Sequence, residues 1–213
     1  REKDANLVRR IKGSVMALNN MFEALLNVSK LDSLAANINN ADFFLGDFSN
    51  EIMEILELRA VNKGLTFSIK SPLLVVRGDK LLLQQLLINL VMNSIQYTEH
   101  GFVEVVFSDE AGRLVMEVVD SGVGISSEDQ KNIFNEFYRA ESTRNVHEGL
   151  GLGLSIVNRI VKKLQGECLV HSEVGKGSVF TIHTHFAIAP RPKAEHTQLQ
   201  EPRDSPPHTH SPS

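Results

Sequence analysis

Two glycine runs constrain this chain more than anything else in it: Asp120-Ser121-Gly122-Val123-Gly124-Ile125, and Gly149-Leu150-Gly151-Leu152-Gly153-Leu154 further on. The apolar stretch Leu114–Val119 reads as a strand that delivers a carboxylate into the first run, and the second run opens into an apolar helical pattern. Glycine lets a backbone approach a ligand closely, and a helix N-terminus points free N–H groups at phosphate. One such run alone would signal only a turn. Here a helix bearing two asparagines, Leu86-Leu87-Ile88-Asn89-Leu90-Val91-Met92-Asn93-Ser94, precedes both runs, and Gly175-Lys176-Gly177 follows them.

The chain has 213 residues, enough for one well-buried domain with appendages. No apolar run approaches the roughly 20 residues that span a bilayer. The charged opening Arg1-Glu2-Lys3-Asp4 is no signal peptide. A net charge of −4 gives no reason to expect nucleic acid as a partner. The single cysteine, Cys168, excludes an internal disulfide and fits a reducing compartment; its apolar surroundings suggest a buried structural thiol. We therefore expect a cytoplasmic protein, or the cytosolic part of a membrane-anchored one.

Three parts are expected. Residues 1–34 read as a long helix in which Leu7, Ile11, Ser14, Leu18, Met21, Leu25 and Val28 alternate at spacings of four and three, a bundle-like seam. Its stripe needs a partner: a helix outside this chain, a second copy, or the domain itself. Residues 35–188 alternate helices and strands. Ser49 is expected to cap a helix running through Val61, and Asp79 one running to Tyr97. Short strands are expected at 65–70 and 73–77, and a hairpin at 102–108 and 113–119. A short helix should begin at Ser126 and another run from Gly151 to Leu164, followed by strands at 167–171 and 178–186. The sum is an α+β fold, a two-layer α/β sandwich. Residues 189–213 read as a disordered Pro-rich tail or linker: six of the seven prolines lie there with almost nothing apolar.

The residues themselves suggest chemistry. Asn93 lies one helical turn after Asn89, so both amides share a face. An amide oxygen suits magnesium, which keeps several waters and takes phosphate oxygens for the rest. Two amides on an otherwise apolar helix need a partner or a purpose. Phe134 and Phe137 read as a packing hinge. Beyond them, Tyr138–Glu148 is polar, with Arg139, Arg144 and His147, and suits a mobile lid whose cations reach phosphate.

Taken in order, these boxes resemble the nucleotide-binding boxes of bacterial sensor histidine kinases, from about Leu31 to Phe186. Within the wider ATPase family of gyrase, the Hsp90 chaperone and these kinases, the fold is called Bergerat. The resemblance implies ATP and Mg2+ as cofactors, with Asn93 on the metal and Asn89 and Arg139 beside it in the catalytic set. It implies that Asp120 accepts the exocyclic amine of adenine, that Tyr97 lies against the ring, and that Ile125 forms its floor. Gly122 and Gly124 would let the loop close on the base. Gln96, Arg139, Arg144, Gly149, Gly151, Leu152, Gly153, Leu154 and Thr181 would complete the nucleotide contacts, and Gly175 and Gly177 would support the site.

Two departures stand out. Gln96 occupies a position where the kinases usually carry Lys, so phosphate charge falls to Arg139 or Arg144. Asn89 occupies a position where hydrolytic relatives carry a Glu that activates water, which favours phosphotransfer over hydrolysis. None of the eight histidines has the acceptor context, a His followed by an acidic residue and Arg-Thr-Pro. Met21–Leu31 instead resembles the second helix of the dimerisation hairpin.

The resemblance therefore implies the ATP-binding catalytic domain of a two-component sensor histidine kinase, acting on a histidine outside this chain. Its partners would be that acceptor helix, a response regulator or receiver domain, and a second copy in a homodimer. The alternative is a degenerate, non-catalytic nucleotide-binding module; a gyrase-like ATPase and an anti-sigma-type serine kinase fit less well.

Overall fold

The computed structural model describes residues 38–140 and 150–189. The helix expected over 1–34, nearly all of the Pro-rich tail, and Arg144, His147 and Gly149 lie outside the described residues.

Strand β1 (Ala41–Phe44) leads directly into α1 (Leu45–Asn62), then β2 (Thr66–Lys70), β3 (Val75–Gly78) and α2 (Lys80–Tyr97). The hairpin β4 (Phe102–Glu110) and β5 (Arg113–Asp120) precedes α3 (Gly153–Lys163), β6 (Glu167–Glu173) and β7 (Gly177–Ala189). The sheet order is β1-β3-β7-β5-β4-β2. β2 pairs with β4 in parallel, and the other pairs are antiparallel. β7 is the spine. One of its edges carries β5, and the other carries β6 over 177–183 and β3 over 187–189.

Alternation along the strands separates two faces. Val103, Val105 and Phe107 of β4, Leu114, Met116 and Val118 of β5, and Phe180, Ile182 and Phe186 of β7 are buried. They meet Leu45, Phe48, Ile52 and Leu56 of α1, Leu83, Leu86, Leu87 and Leu90 of α2, and Ile156, Val157 and Ile160 of α3. This is the expected two-layer α+β sandwich.

Local chemistry explains the element ends. Asp79 caps α2 by accepting from the Leu82 N–H at 3.1 Å, and its other oxygen accepts from the Asn39 N–H at 3.0 Å, so one carboxylate fixes both the helix start and the chain entry. Ala111 and Gly112, both at positive φ, form the two-residue turn joining β4 to β5.

Three expectations need correction. Ser49 does not cap α1: the helix starts at Leu45, and the Ser49 hydroxyl, inside it, donates to the Leu45 carbonyl at 2.8 Å. Burial of Leu45 and Phe48 extends the helix past the polar signal. Ser126 does cap, accepting from the Asp129 N–H at 3.1 Å, but only a 3-10 turn, Asp129–Lys131, follows it. Strand β1 is an addition to the expected elements, because its four edge residues, three exposed and only Phe43 partly buried, carry no alternating pattern.

Candidate nucleotide site

Helix α2 aims its polar face into a cavity of about 410 Å3. The cavity lies between α2, the turn after β5, the segment leading to Ala140 and the start of α3. Asn89, Asn93, Gln96 and Tyr97 line it from α2, because positions one turn apart share a face. Asn89 Nδ2 donates to the Gln85 carbonyl at 2.7 Å, so its amide is oriented by its own helix. Its Oδ1 stands 3.9 Å from where a Cβ on Gly153 would lie, which puts α2 and the N-terminus of α3 side by side. Lys63, just past α1, donates to the carbonyls of Ile95 at 2.6 Å and Gln96 at 2.7 Å. A cation at these orphan carbonyls complements the negative end of α2. Burial is the main cause that lowers the Lys63 pKa, with Glu99 pulling it back up.

Asp120 forms the far wall and is only 7% exposed. The Gly122 N–H donates to its Oδ1 at 2.9 Å, and the Ser94 hydroxyl to its Oδ2 at 3.1 Å. The backbone N–H of Ser178 adds a further donor. Burial pushes the Asp120 pKa up, against the pull of these three donors. The turn is anchored by the Val123 N–H on the Tyr97 carbonyl at 3.2 Å and by the Ile125 N–H on the Ser172 hydroxyl at 2.8 Å. Gly177, at φ 93°, lies so close that a Cβ there would stand 2.0 Å from the Asp120 carbonyl oxygen.

At the other end, Gly151, Leu152, Gly153 and Leu154 line the cavity where α3 begins. Free N–H groups and the positive end of the helix dipole gather there, with no acidic residue in the first turn. Across from them, the Tyr138 hydroxyl donates to Asp129 Oδ1 at 2.7 Å and the Ser126 hydroxyl to Asp129 Oδ2 at 2.6 Å. These bonds hold the Asp129 carboxyl below its ordinary range and raise the Tyr138 phenol. Arg139 also lines the cavity. The ends of the segment between Ala140 and Leu150 are tied together, the Phe137 N–H donating to the Gly151 carbonyl at 3.1 Å.

Of the residues singled out in the sequence, the structure brings Asn89, Asn93, Gln96, Tyr97, Asp120, Gly124, Ile125, Arg139, Gly151, Leu152, Gly153 and Leu154 to this one cavity. Gly122 sits behind Asp120 as a backbone donor. Thr181 is not brought there. Strand alternation turns it to the opposite face, where its hydroxyl donates to Glu117 at 3.2 Å, while Ser178 and Phe180 face the cavity. Phe134 packs against the core, but Phe137 is 57% exposed at φ 61°, so only one of the pair is a packing residue. Arg144 and Gly149 lie outside the described residues. Sequence reasoning missed Ser94, Ser178, Asp129 and Tyr138. Ser94 carried a signal, as a third polar residue in an apolar helix.

Residues 78–188, just over half of the chain, match the family described as histidine kinase-, DNA gyrase B-, and HSP90-like ATPase. The aerobic respiration control sensor protein ArcB of Escherichia coli (strain K12) is 32% identical over 184 residues, 84% of this chain and 24% of ArcB. The autoinducer 2 sensor kinase/phosphatase LuxQ of Vibrio cholerae is 33% identical over 190 residues, 85% of this chain and 22% of LuxQ. The chain thus spans about a quarter of the length of such relatives. Among solved structures, full-length ShkA in complex with AMPPNP superposes with a TM-score of 0.73 at 27% identity, covering 88% of this chain and 40% of that one. The nucleotide-free catalytic domain of histidine kinase ThkA gives a TM-score of 0.60 at 27% identity, covering 68% of this chain and 95% of that one. Family, relatives and fold agree: the chain belongs to the histidine kinase-, DNA gyrase B- and HSP90-like ATPases, as an ATP-binding catalytic domain of the sensor histidine kinase kind.

Proposed function

We propose that this domain transfers the γ-phosphoryl group of MgATP to a histidine on a separate helix. The observation that carries the proposal is the cavity's polarity. It has a buried carboxylate at one end, two amides along one wall, and a helix N-terminus at the other end. Asp120 accepts the exocyclic amine of adenine, Tyr97 and Ile125 hold the ring, and the N–H groups of Gly151 to Leu154 receive the phosphates. Arg139, with Arg144, offsets the phosphate charge that Gln96 leaves unneutralised. Asn89 and Asn93 orient the tail. The chain's contribution is positioning and charge stabilisation. The histidine nitrogen attacks the γ-phosphorus as the bond to the bridging oxygen breaks; ADP leaves with the electron pair, and the ring proton passes to solvent.

A magnesium ion fits these residues. Among the described residues, no group of three or more His, Cys, Asp or Glu side chains could hold a metal. The donor set is the neutral amide of Asn93, which suits an ion that keeps water and phosphate oxygens as its other ligands. When bound, magnesium neutralises charge on the transferring phosphates.

The same reading assigns residues 1–34 to the second helix of a dimerisation hairpin, 35–188 to the catalytic domain and 189–213 to a tail or linker. The domain works on the cytoplasmic side; among the described residues no helix is long and apolar enough to cross a membrane. The intact protein is a homodimer whose phosphohistidine supplies a response regulator or receiver domain.

The test is to incubate the chain with labelled MgATP and a separately produced hairpin carrying an acceptor histidine from a related kinase. Acid-labile, alkali-stable label on the hairpin, lost with Asn93→Ala, is expected. Magnesium-dependent nucleotide binding without any transfer would instead favour the non-catalytic module that Gln96 suggests.

A further inference from the structure

The most buried polar side chain around the cavity is that of Ser94, 1% exposed, one residue past Asn93 on α2. A serine inside a helix commonly bonds back to the carbonyl one turn earlier. Ser94 instead donates across to the sheet, to Asp120 Oδ2 at 3.1 Å. The Gly122 N–H holds Oδ1 at 2.9 Å, so the carboxylate is pinned through both oxygens, by a side chain on one and backbone on the other. A carboxylate accepts about four hydrogen bonds. With Ser94, Gly122 and Ser178 taken into account, a single acceptor position is left for a ligand in the cavity that Asp120 lines.

We propose that Ser94 is a positioning residue for nucleobase selection, locking the Asp120 carboxylate as an acceptor so that the site takes 6-amino purines over 6-oxo purines. The proposal rests on the reading of Asp120 as the adenine acceptor. An ionised carboxylate accepts from an exocyclic amine and repels a carbonyl oxygen. A protonated one donates, and so receives a 6-oxo purine instead. Ser94 favours the ionised form in a place where burial disfavours it. The chemistry of one hydroxyl therefore reaches the base through Asp120 without touching it.

The groups sharing the cavity do not interfere. From α2 comes Tyr97. Across the cavity stand Asp129, held below the usual carboxylate range, Tyr138, raised above the usual phenol, and Arg139. β4 presents Val103 opposite Asp120, and β7 presents Ser178. Asp120 is the carboxylate here that burial moves up from the ordinary range, while its hydrogen bonds hold Asp129 down.

The experiment measures binding of ADP and of inosine diphosphate, both with magnesium, by calorimetry between pH 5 and 9. The affinity ratio cancels the titration of the phosphates. Wild type should favour ADP, with the preference falling at low pH. Ser94→Ala should lose about tenfold of the preference at neutral pH, the worth of one hydrogen bond to a charged group, and the fall should set in at higher pH. Ser94→Cys, which keeps the volume but donates weakly, should behave like Ser94→Ala; a wild-type ratio and pH profile for it would overturn the proposal in favour of packing. A uniform affinity loss in both variants, with the ratio and its pH midpoint unmoved, would overturn it as well. Asp120→Asn separates the two levels. If that variant keeps the ADP preference, the adenine reading itself falls. If it loses the preference while the Ser94 variants keep it, only the role of Ser94 falls.

Discussion

Replacing Gly177 by alanine should cost far more than replacing Gly175, although both lie in the same turn and both have positive φ. Gly175 has φ 80° and no atom within 4 Å of where a Cβ would lie, so its substitution meets only the backbone penalty of the left-handed region, about 1–2 kcal/mol. Gly177, at φ 93°, carries the same penalty. Its Cβ would also lie 2.0 Å from the Asp120 carbonyl oxygen and 2.9 Å from the carbonyl carbon. These are backbone atoms that no rotamer can move aside. A Cβ essentially never comes within 3.0 Å of a heavy atom outside its own stretch of chain, so β7 must withdraw from β5 by about 1 Å at its first residue. That withdrawal weakens the Ser172 hydroxyl bond to the Gly177 carbonyl, 2.8 Å, and the Ser178 N–H bond to the Asp120 carboxylate. At about 0.5–1.5 kcal/mol each, these add to the strain of about 1–2 kcal/mol, for a total of about 2–5 kcal/mol. Urea denaturation of the two variants against wild type reads both numbers, and ADP titration should show weakened binding for Gly177→Ala alone. Equal losses in the two variants would refute the claim that β7 packs against the Asp120 backbone.

Other expectations are more local. Asp120 has its folded pKa raised, so it contributes stability below the ordinary carboxylate pKa and loses it as pH rises through the folded value. Thermal stability without nucleotide should therefore rise, and ADP affinity fall, as pH is lowered through that window; Asp120→Asn should flatten both curves. Lys63→Met removes the cation on the Ile95 and Gln96 carbonyls and should cost about 1 kcal/mol, discounted for exposure, as a lower melting temperature. Burial pushes the Cys168 thiol up to about 12, so iodoacetamide at pH 8 should label it only after urea unfolding.

Much of this was legible in the sequence where a pattern had one physical reading. Asp79 before an apolar helix could hardly be anything but a cap, and the alternating runs around Ala111-Gly112 specified a hairpin. Asn89 and Asn93 were visible because amides on an apolar helix demand an explanation, and Ser94 could have been found in the same way. Ser49 misled because a polar cap signal competes with burial of Leu45 and Phe48, and burial outweighs it. Thr181 misled for lack of parity: Phe180 is plainly a core residue, so its neighbour on the strand must face the other way. Asp129 and Tyr138 lie nine residues apart in irregular chain, and no periodicity links such a pair.

The bond from the Phe137 N–H to the Gly151 carbonyl has an evolutionary meaning. It joins the two stems of the segment between them within the folded domain, so the geometry of the sheet and of α2 does not depend on how many residues lie in between. Doubling the length of a closed loop costs only about 0.6 kcal/mol. Descendants of this chain could lengthen or shorten the middle of that segment at little cost to the fold, acquiring new timing or new partners beside the phosphate end of the cavity, so long as Tyr138 and Arg139 keep their places there and Arg144 is retained.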